Sequence, residues 1–582
     1  MVGVDAEAEA GRHFHGHVEV GRGDQAAIRV GGWRLVVGDG VGADEHAEVV
    51  VVGAGPVGCA VALLVADWGI PVTLLERHPE PSPLPRAVHL DDEVARILHR
   101  IGVSDAFLAR ARPGSGLRLL DARHRVMAEF RRGTEAGDNG FPTANMFHQP
   151  DLEALLFDRI DRHPLIDLRR GVEVRAIDGA HELWTAAPVR VHASRTADAT
   201  SRTFTGRLVL GCDGANSTIR GLLGVALRDL GFTERWLVVD ARVGRALDAW
   251  DGVEQVCDSA RAATFMHVTG DRYRWEFQLR DGETEADLTS TQALGRLLRP
   301  WTGRDDLDGL DVVRRATYTF RARLAARLQA GRVFLLGDAA HLTPPFIGQG
   351  LGAGLRDADN LAWKIAHVLT GLAGADLLAT YETERRPHVK ALIRKAVLAG
   401  WAMTGGQDRA ATIRRLALRG IMRSTRIQEL VGATATPRLR TGALRHTPAL
   451  SRVPRSLRAG GLIPNPLLYV VGGERVRLDD VLRGRTAVLT ARRPEPHLLD
   501  ACRALGIILV RVTDVSADPA ALAEADRVTV HLADHDGGLR ILTDNPTLTI
   551  VVRPDRVIAA VTTRSRLPHV PWTVPNPTTR VA

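Results

Sequence analysis

Val49 to Glu76 reads VVVVGAGPVGCAVALLVADWGIPVTLLE. Four successive valines suit a strand buried on both faces of a parallel sheet. They enter Gly53-Ala54-Gly55-Pro56-Val57-Gly58, a GxGxxG. An amphipathic segment from Cys59 to Trp68 follows, then a stop at Gly69 and a second apolar strand, Val72 to Leu75, closed by Glu76. Each part has a job in holding a dinucleotide. Gly53 permits the tight turn, Gly55 lets a pyrophosphate approach the backbone, and Gly58 lets helix and strand pack closely. The helix start offers unpaired N–H groups and a positive dipole end to phosphate. Glu76 can accept hydrogen bonds from ribose hydroxyls, and an acid there favours a ribose without a 2′-phosphate. FAD and NAD fit the stretch equally well. A membrane span is excluded, because Asp67, Pro56, Pro71 and the glycines interrupt the roughly 20 apolar residues that crossing requires.

The chain has 582 residues, 45% hydrophobic and 25% charged, so two to four ordinary globular domains are expected. Its formal charge is +8, but only three cations are lysine (Lys364, Lys390, Lys395), and the arginines are scattered among acids. That pattern argues against nucleic acid as a partner and leaves a modest pull on anionic small molecules. No secretory segment or membrane helix is expected. Cys59, Cys212, Cys257 and Cys502 have no metal-like or CxxC spacing, which points to a reduced, cytoplasmic setting without metal.

Residues 1–46 lack convincing periodicity and read as a leader without order. After Glu76 and Arg77 a proline-rich loop leads to Arg86, then a helix to Ile101 that Asp91 can cap. A further helix follows His148-Gln149-Pro150. Leu208 to Leu210 is a buried strand running into Cys212-Asp213-Gly214, a sharp turn before a helix. Residues 236–280 alternate as strands and would give an apolar pocket floor with polar handles. Val333 to Leu336 enters Gly337-Asp338, and Pro344-Pro345-Phe346-Ile347-Gly348-Gln349-Gly350-Leu351-Gly352 feeds a long helix; such a loop can hold an anion or a polarised carbonyl. Residues 434–466 read as a linker, and short strands and helices after Val476 read as a separate small α/β domain.

The glycine turn at 53–58, the Asp213-Gly214 turn and Gly337-Asp338 resemble, in order and spacing, the three nucleotide motifs of group A flavoprotein aromatic hydroxylases, whose fold is like that of p-hydroxybenzoate hydroxylase. Pro85-Arg86-Ala87, Asp91-Asp92-Glu93, Gly348-Gln349-Gly350, Arg356-Asp357-Ala358 and Val552-Arg553-Pro554-Asp555-Arg556 resemble more narrowly the 3-(3-hydroxyphenyl)propionate hydroxylase subfamily. The resemblance implies an α/β protein: a Rossmann-like FAD-binding domain (47–225 and 325–400), an inserted β-sheet substrate domain (226–324), a helical segment and linker (401–466), and a thioredoxin-like domain without CxxC (467–582). It implies FAD held by Gly53, Ala54, Gly55, Pro56, Val57, Gly58, Glu76 and Arg77, with Arg86 and Gln149 on the flavin side. Asp213 and Gly214 would lie where flavin and nicotinamide meet. Gly337 and Asp338 would bind ribityl or ribose hydroxyls, and Pro344, Pro345, Gly348, Gln349, Gly350, Leu351 and Gly352 would pack against the isoalloxazine. Asn216 and Leu351-Gly352-Ala353 depart from the family pattern.

The implied reaction is hydroxylation of a phenolic ring with NADH or NADPH and O2, through a flavin C4a-hydroperoxide. Arg86, Pro344, His267 and Tyr273 are the candidates nearest the chemistry, with Trp275 and Gln278 as pocket residues. The resemblance leaves room for a homodimer. Two other readings stand beside this one. A flavin-dependent halogenase would need a lysine, and none precedes Lys364. A non-catalytic flavin-binding ligand trap or sensor would bind without turnover.

Overall fold

In the computed structural model, Val49–Val52 sits at the centre of a six-stranded sheet, ordered Ile166–Arg170, Val72–Glu76, Val49–Val52, Leu208–Gly211, Val333–Leu335, Gln329–Ala330. The first five strands are parallel and the last pairs antiparallel. The structure describes residues 26–30, 33–37, 45–181, 187–404, 436–445, 453–470, 474–513, 529–534, 536–563, 567–568 and 572. Val49, Val50 and Val51 are wholly buried, as the unbroken apolar run predicts. The helix Pro56–Ala66 is buried nearly all round rather than amphipathic. The Gly350–Leu369 helix packs over it and supplies the second apolar face.

A second sheet of eight strands is built around two long antiparallel strands, Leu227–Val243 and Leu310–Ala325. Arg272–Gln278, Ala263–Thr269 and Val253–Val256 extend it on one side. The sheet is expected within 226–324, but Gly116–Leu120, Val126–Arg131 and His341–Leu342 also join it. Free strand edges pair when another extended segment is within reach, so segments from both sides of 226–324 extend this sheet. The helix Thr291–Thr302 covers one face, over a core of Phe265, Tyr273, Trp275, Leu294, Leu298 and Trp301.

The leader also differs from expectation. Ala26–Val30 and Trp33–Val37 pair antiparallel. Glu45–His46 adds in parallel to the strand Ser201–Gly206. The other positions before Glu45 lie outside the described residues. Of the helical segment expected from residue 401, the part to Thr404 is described, as the end of Asp376–Thr404; residues 405–435 lie outside the described part. Of the linker, 436–445 and 453–466 hold one 3-10 turn, Arg455–Leu457. A third, seven-stranded mixed sheet spans Leu467–Thr562.

Buried ion networks join this C-terminal unit to the first. The Arg96 fork donates to both Asp479 oxygens at 2.7 Å, and Arg556 donates to Asp479 at 2.6 Å. Glu384 accepts from Arg553, Lys364 and Asn360 at 2.7–2.9 Å, all without solvent exposure of the ion pairs. In spite of burial, neighbouring cations hold Glu384 and Asp357 down at about 2, and Asp479 lower still. A depressed acid stabilises the fold above its unfolded pKa near 4 and loses that contribution as pH falls through its folded value. Thermal melting should therefore drop steeply between about pH 4 and pH 2. Asp92 and Asp359, raised by burial to about 6, act oppositely between pH 4 and 6 and flatten the curve there. A melting temperature unchanged down to pH 2 would contradict the assignment.

Candidate active site

The three motif turns meet at the carboxyl ends of the parallel strands. Gly53 has φ +100°, and a Cβ built on it would lie 2.6 Å from the Cys212 carbonyl oxygen, so the glycine turn and the Cys212-Asp213 turn touch through backbone. At Gly58 a Cβ would lie 1.9 Å from the Gly53 oxygen. The third glycine is thus the close-packing one, as its spacing predicts. Val57 is wedged against Gly337 and Gly354, whose added Cβ atoms would stand 3.1 and 2.6 Å from its Cγ2. One valine thereby brings the Gly337-Asp338 turn and the glycine-rich helix beside the nucleotide turn.

Gly55 behaves differently: a Cβ there meets no atom within 4 Å. Its lack of a side chain has no packing reason, and it caps the helix that begins at Pro56. An open backbone at a helix start is the cradle a pyrophosphate requires, so these residues fit FAD. Asp338 is exposed, yet surrounding protein raises its pKa by desolvation, while His341 and Arg86 pull it down. Contact with water amid dense protein describes the floor of a cleft.

Several expected contact residues have duties within the protein. Glu76 accepts from the Ala54 and His78 N–H groups, each at 2.9 Å, and so fastens the glycine turn to the second strand. Arg77 is exposed. Gln149 accepts from the Arg86 and Ala87 N–H groups at 3.2 and 2.7 Å and donates to Glu153. Its amide orients the Arg86 backbone rather than facing the cleft. Asp213 accepts from Ser217 Oγ and the Ile219 N–H, capping the helix Thr218–Leu222. Gln349 turns its side chain inward, between Arg356 and Asp91 at 2.9 Å each. Pro344 precedes a 3-10 turn, Pro345–Ile347, whose Phe346 packs edge-on against Phe232 and Trp236. Gly348 has φ +60° and lies against His89. Gly350 is open around its Cα, Leu351 packs on the core, and Gly352 abuts Arg356.

His267 and Tyr273 do not join this group. Tyr273 lies in the core under the Thr291–Thr302 helix with Phe265 and Trp275. His267 stacks on Tyr273 at 4.6 Å and bonds to Asp251 and the Gly270 carbonyl. In a strand, neighbouring residues point to opposite faces, and the face toward the nucleotide turns carries Arg274, Glu276 and Gln278 instead. Arg274 donates to the Pro85 and Arg86 carbonyls at 2.7 and 2.8 Å, and Arg314 to Pro85 at 2.7 Å. Asp240 lies between both guanidiniums. This buried clamp fixes Arg86 over the cleft. The alternation in Tyr273-Arg274-Trp275-Glu276 was the available signal, but it names two faces without saying which one turns inward.

Two family models match the chain. One, described as an FAD binding domain, covers residues 46–396, more than half of the chain; the other, the HcaD C-terminal domain, covers 460–574. The chain belongs to the FAD-binding aromatic hydroxylase family. It is 32% identical over 534 residues to the 3-(3-hydroxy-phenyl)propionate/3-hydroxycinnamic acid hydroxylase of Burkholderia cenocepacia, covering 89% of this chain and 94% of that one. The protein of that name from Mycolicibacterium smegmatis is 32% identical over 536 residues, covering 90% and 92%. Among solved structures, the flavin-dependent monooxygenase PieE with FAD and substrate superimposes with TM-score 0.72 at 22% identity, covering 90% of this chain and 97% of that one. Aklavinone-11 hydroxylase with FAD and aklavinone gives 0.72 at 24%, covering 90% and 96%. These two likenesses bear on the fold, which is mixed α/β. Among the described residues no helix is long and apolar enough to cross a membrane.

Proposed function

We propose that this flavoprotein hydroxylates a phenolic aromatic small molecule, using NADH or NADPH and O2. The observation that carries the reading is the meeting of the Cys212-Asp213 turn (at Gly53) and the Gly337-Asp338 turn (at Val57) on the Gly53–Gly58 turn with its open Gly55, in a chain 32% identical over most of its length to phenol-acid hydroxylases. When bound, FAD supplies hydride uptake from the nicotinamide and activation of dioxygen. The residues fitted to hold it are the Gly53–Gly58 turn, Asp338 and the 344–352 loop. Arg86 supplies a positive charge at the cleft; its backbone is held at both peptide groups, by Gln149 and by Arg274. The sheet face bearing Arg274, Glu276 and Gln278 would position the ring and exclude water.

The finer assignments have their own support. The β-α-β unit Ala487–Thr490, Pro496–Leu505, Ile508–Thr513 followed by the antiparallel pair Thr549–Val552 and Ile558–Thr562 supports a thioredoxin-like C-terminal domain. Its Cys502 is buried with the thiol pKa pushed up to about 12, which argues against redox chemistry there. Free thiols at all four cysteines support a cytoplasmic setting.

Anaerobic stopped-flow reduction by NADH, with and without a phenolic ligand, tests the enzyme against a passive flavin binder. A hydroxylated ligand should accelerate reduction. Arg86→Ala should slow it roughly tenfold or more, about 1.4 kcal/mol in the barrier, with ligand affinity nearly unchanged. Turnover of no phenol, with flavin bound, would favour the ligand trap.

A further inference from the structure

The inward sheet face has an unpartnered acid at its centre. Glu276 pairs with Val238 across one strand boundary and with Thr264 across the other. Two residues along, Arg274 and Asp240 form the clamp on the Pro85-Arg86 loop. Two residues the other way, Trp236 meets Phe346 of the loop that follows the Gly337-Asp338 turn. Glu276 thus stands between the two loops that frame the cleft. It is 7% exposed, and its carboxylate accepts no hydrogen bond among the described residues. A buried charge in that condition is costly unless a partner arrives.

The neighbouring arginines are both ion-paired with Asp240. Arg274 is bound to Asp240 and two carbonyls, and Arg314 to Asp240 and Pro85. Glu234, also on this side, is satisfied by Trp236 Nε1 at 2.9 Å and Thr404 Oγ1 at 3.2 Å. Glu276 alone of these acids lacks a donor. Burial raises its pKa; Arg274 opposes, Asp240 adds, and Arg314 opposes. Those three are the charged groups that face it, from its own strand and from the two long strands.

We propose that Glu276 receives the hydroxyl proton of the phenolic substrate, and that this part of the pocket takes a neutral O–H group and rejects a carboxylate. The proposal rests on the phenol-hydroxylase reading. In the step, the phenol O–H bond breaks, its electron pair stays on oxygen, and the proton forms a new O–H bond on the Glu276 carboxylate. The phenolate then donates into the ring, enriching the ortho and para carbons that an electrophilic oxygen attacks. A carboxylate in the same place would face Glu276 and Asp240, and Asp240 already neutralises both nearby arginines.

The test uses the FAD-loaded full chain, wild type and Glu276→Gln, with 3-ethylphenol and 3-(3-hydroxyphenyl)propionate as probes. The isosteric variant should keep its flavin and melt at the same temperature or higher, since it removes an unpaired buried charge. Its kcat/KM for whichever phenol is turned over should fall about 100-fold, the lower end for general-base catalysis. The wild-type profile should fall on the acid side as Glu276 is protonated, and the variant should lack that limb. Glu276→Asp should recover part of the rate. If wild type turns over a phenol and the variant matches it with the acid limb intact, the proposal is wrong while the enzyme reading stands. Loss of flavin or a lower melting temperature in the variant would make Glu276 structural and also overturn it. Turnover of neither probe, nor of any wider phenol, would remove the hydroxylase reading and this proposal with it.

Discussion

Gly55→Val should purify folded and colourless, whereas Gly58→Ala should fail at the level of the fold. The two glycines sit three residues apart in one turn, but their surroundings are opposite. At Gly55 an added side chain enters open space, so the protein alone tolerates it. The same branched group fills the approach that a pyrophosphate needs, and the N–H groups at the helix start lose their ligand. At Gly58 even a methyl group would stand 1.9 Å from the Gly53 carbonyl oxygen, which is backbone and cannot swing aside, and 3.3 Å from the Cys212 Cβ. The helix would have to move off the central strand, a packing strain of the kind that costs about 1–3 kcal/mol and sometimes more. Flavin absorbance per protein and thermal melting together separate the effects. A yellow Gly55→Val protein with full flavin would show that this turn does not hold the cofactor.

Glu384→Ala should lower stability by about 3–5 kcal/mol, the usual result of removing one partner from a buried ion pair. Its carboxylate takes hydrogen bonds from Arg553, Lys364, Asn360 and the Ala443 N–H. Without it two cations remain buried and the donors are unpaired; the Lys364 pKa, already lowered to about 8 by burial, would fall further. The damage should also reach the cleft. Asn360 and Lys364 belong to the Gly350–Leu369 helix, whose start is the glycine-rich loop and whose Arg356 and Asp357 hold Gln349 and the Gly337 N–H. Denaturant unfolding and flavin retention measure both consequences. Unchanged stability would mean that water screens the network and that the C-terminal unit is joined less firmly.

Much of this protein was legible in order. Four valines, a GxGxxG and Glu76 specify a strand, a turn and a second strand, because apolar runs and glycine requirements are local properties of the chain. The Cys212-Asp213-Gly214 and Gly337-Asp338 turns follow short buried strands for the same reason, and their spacing identified the family. Sequence could not say what Glu76, Gln149 and Gln349 would do. Each was expected at the cofactor, and each has its side chain engaged with backbone or with buried charge that comes from distant residues.

The pocket shows the limit most sharply. Alternation in Tyr273-Arg274-Trp275-Glu276-Phe277 defines two faces with certainty, since successive strand residues point oppositely. Aromatic residues made one face look like a substrate floor. Tertiary packing gave that face to the Thr291–Thr302 helix and turned Arg274 and Glu276 toward the cleft. Local periodicity fixes which side chains share a face; which face looks at the cofactor depends on contacts hundreds of residues apart, and those exist only once the chain has folded.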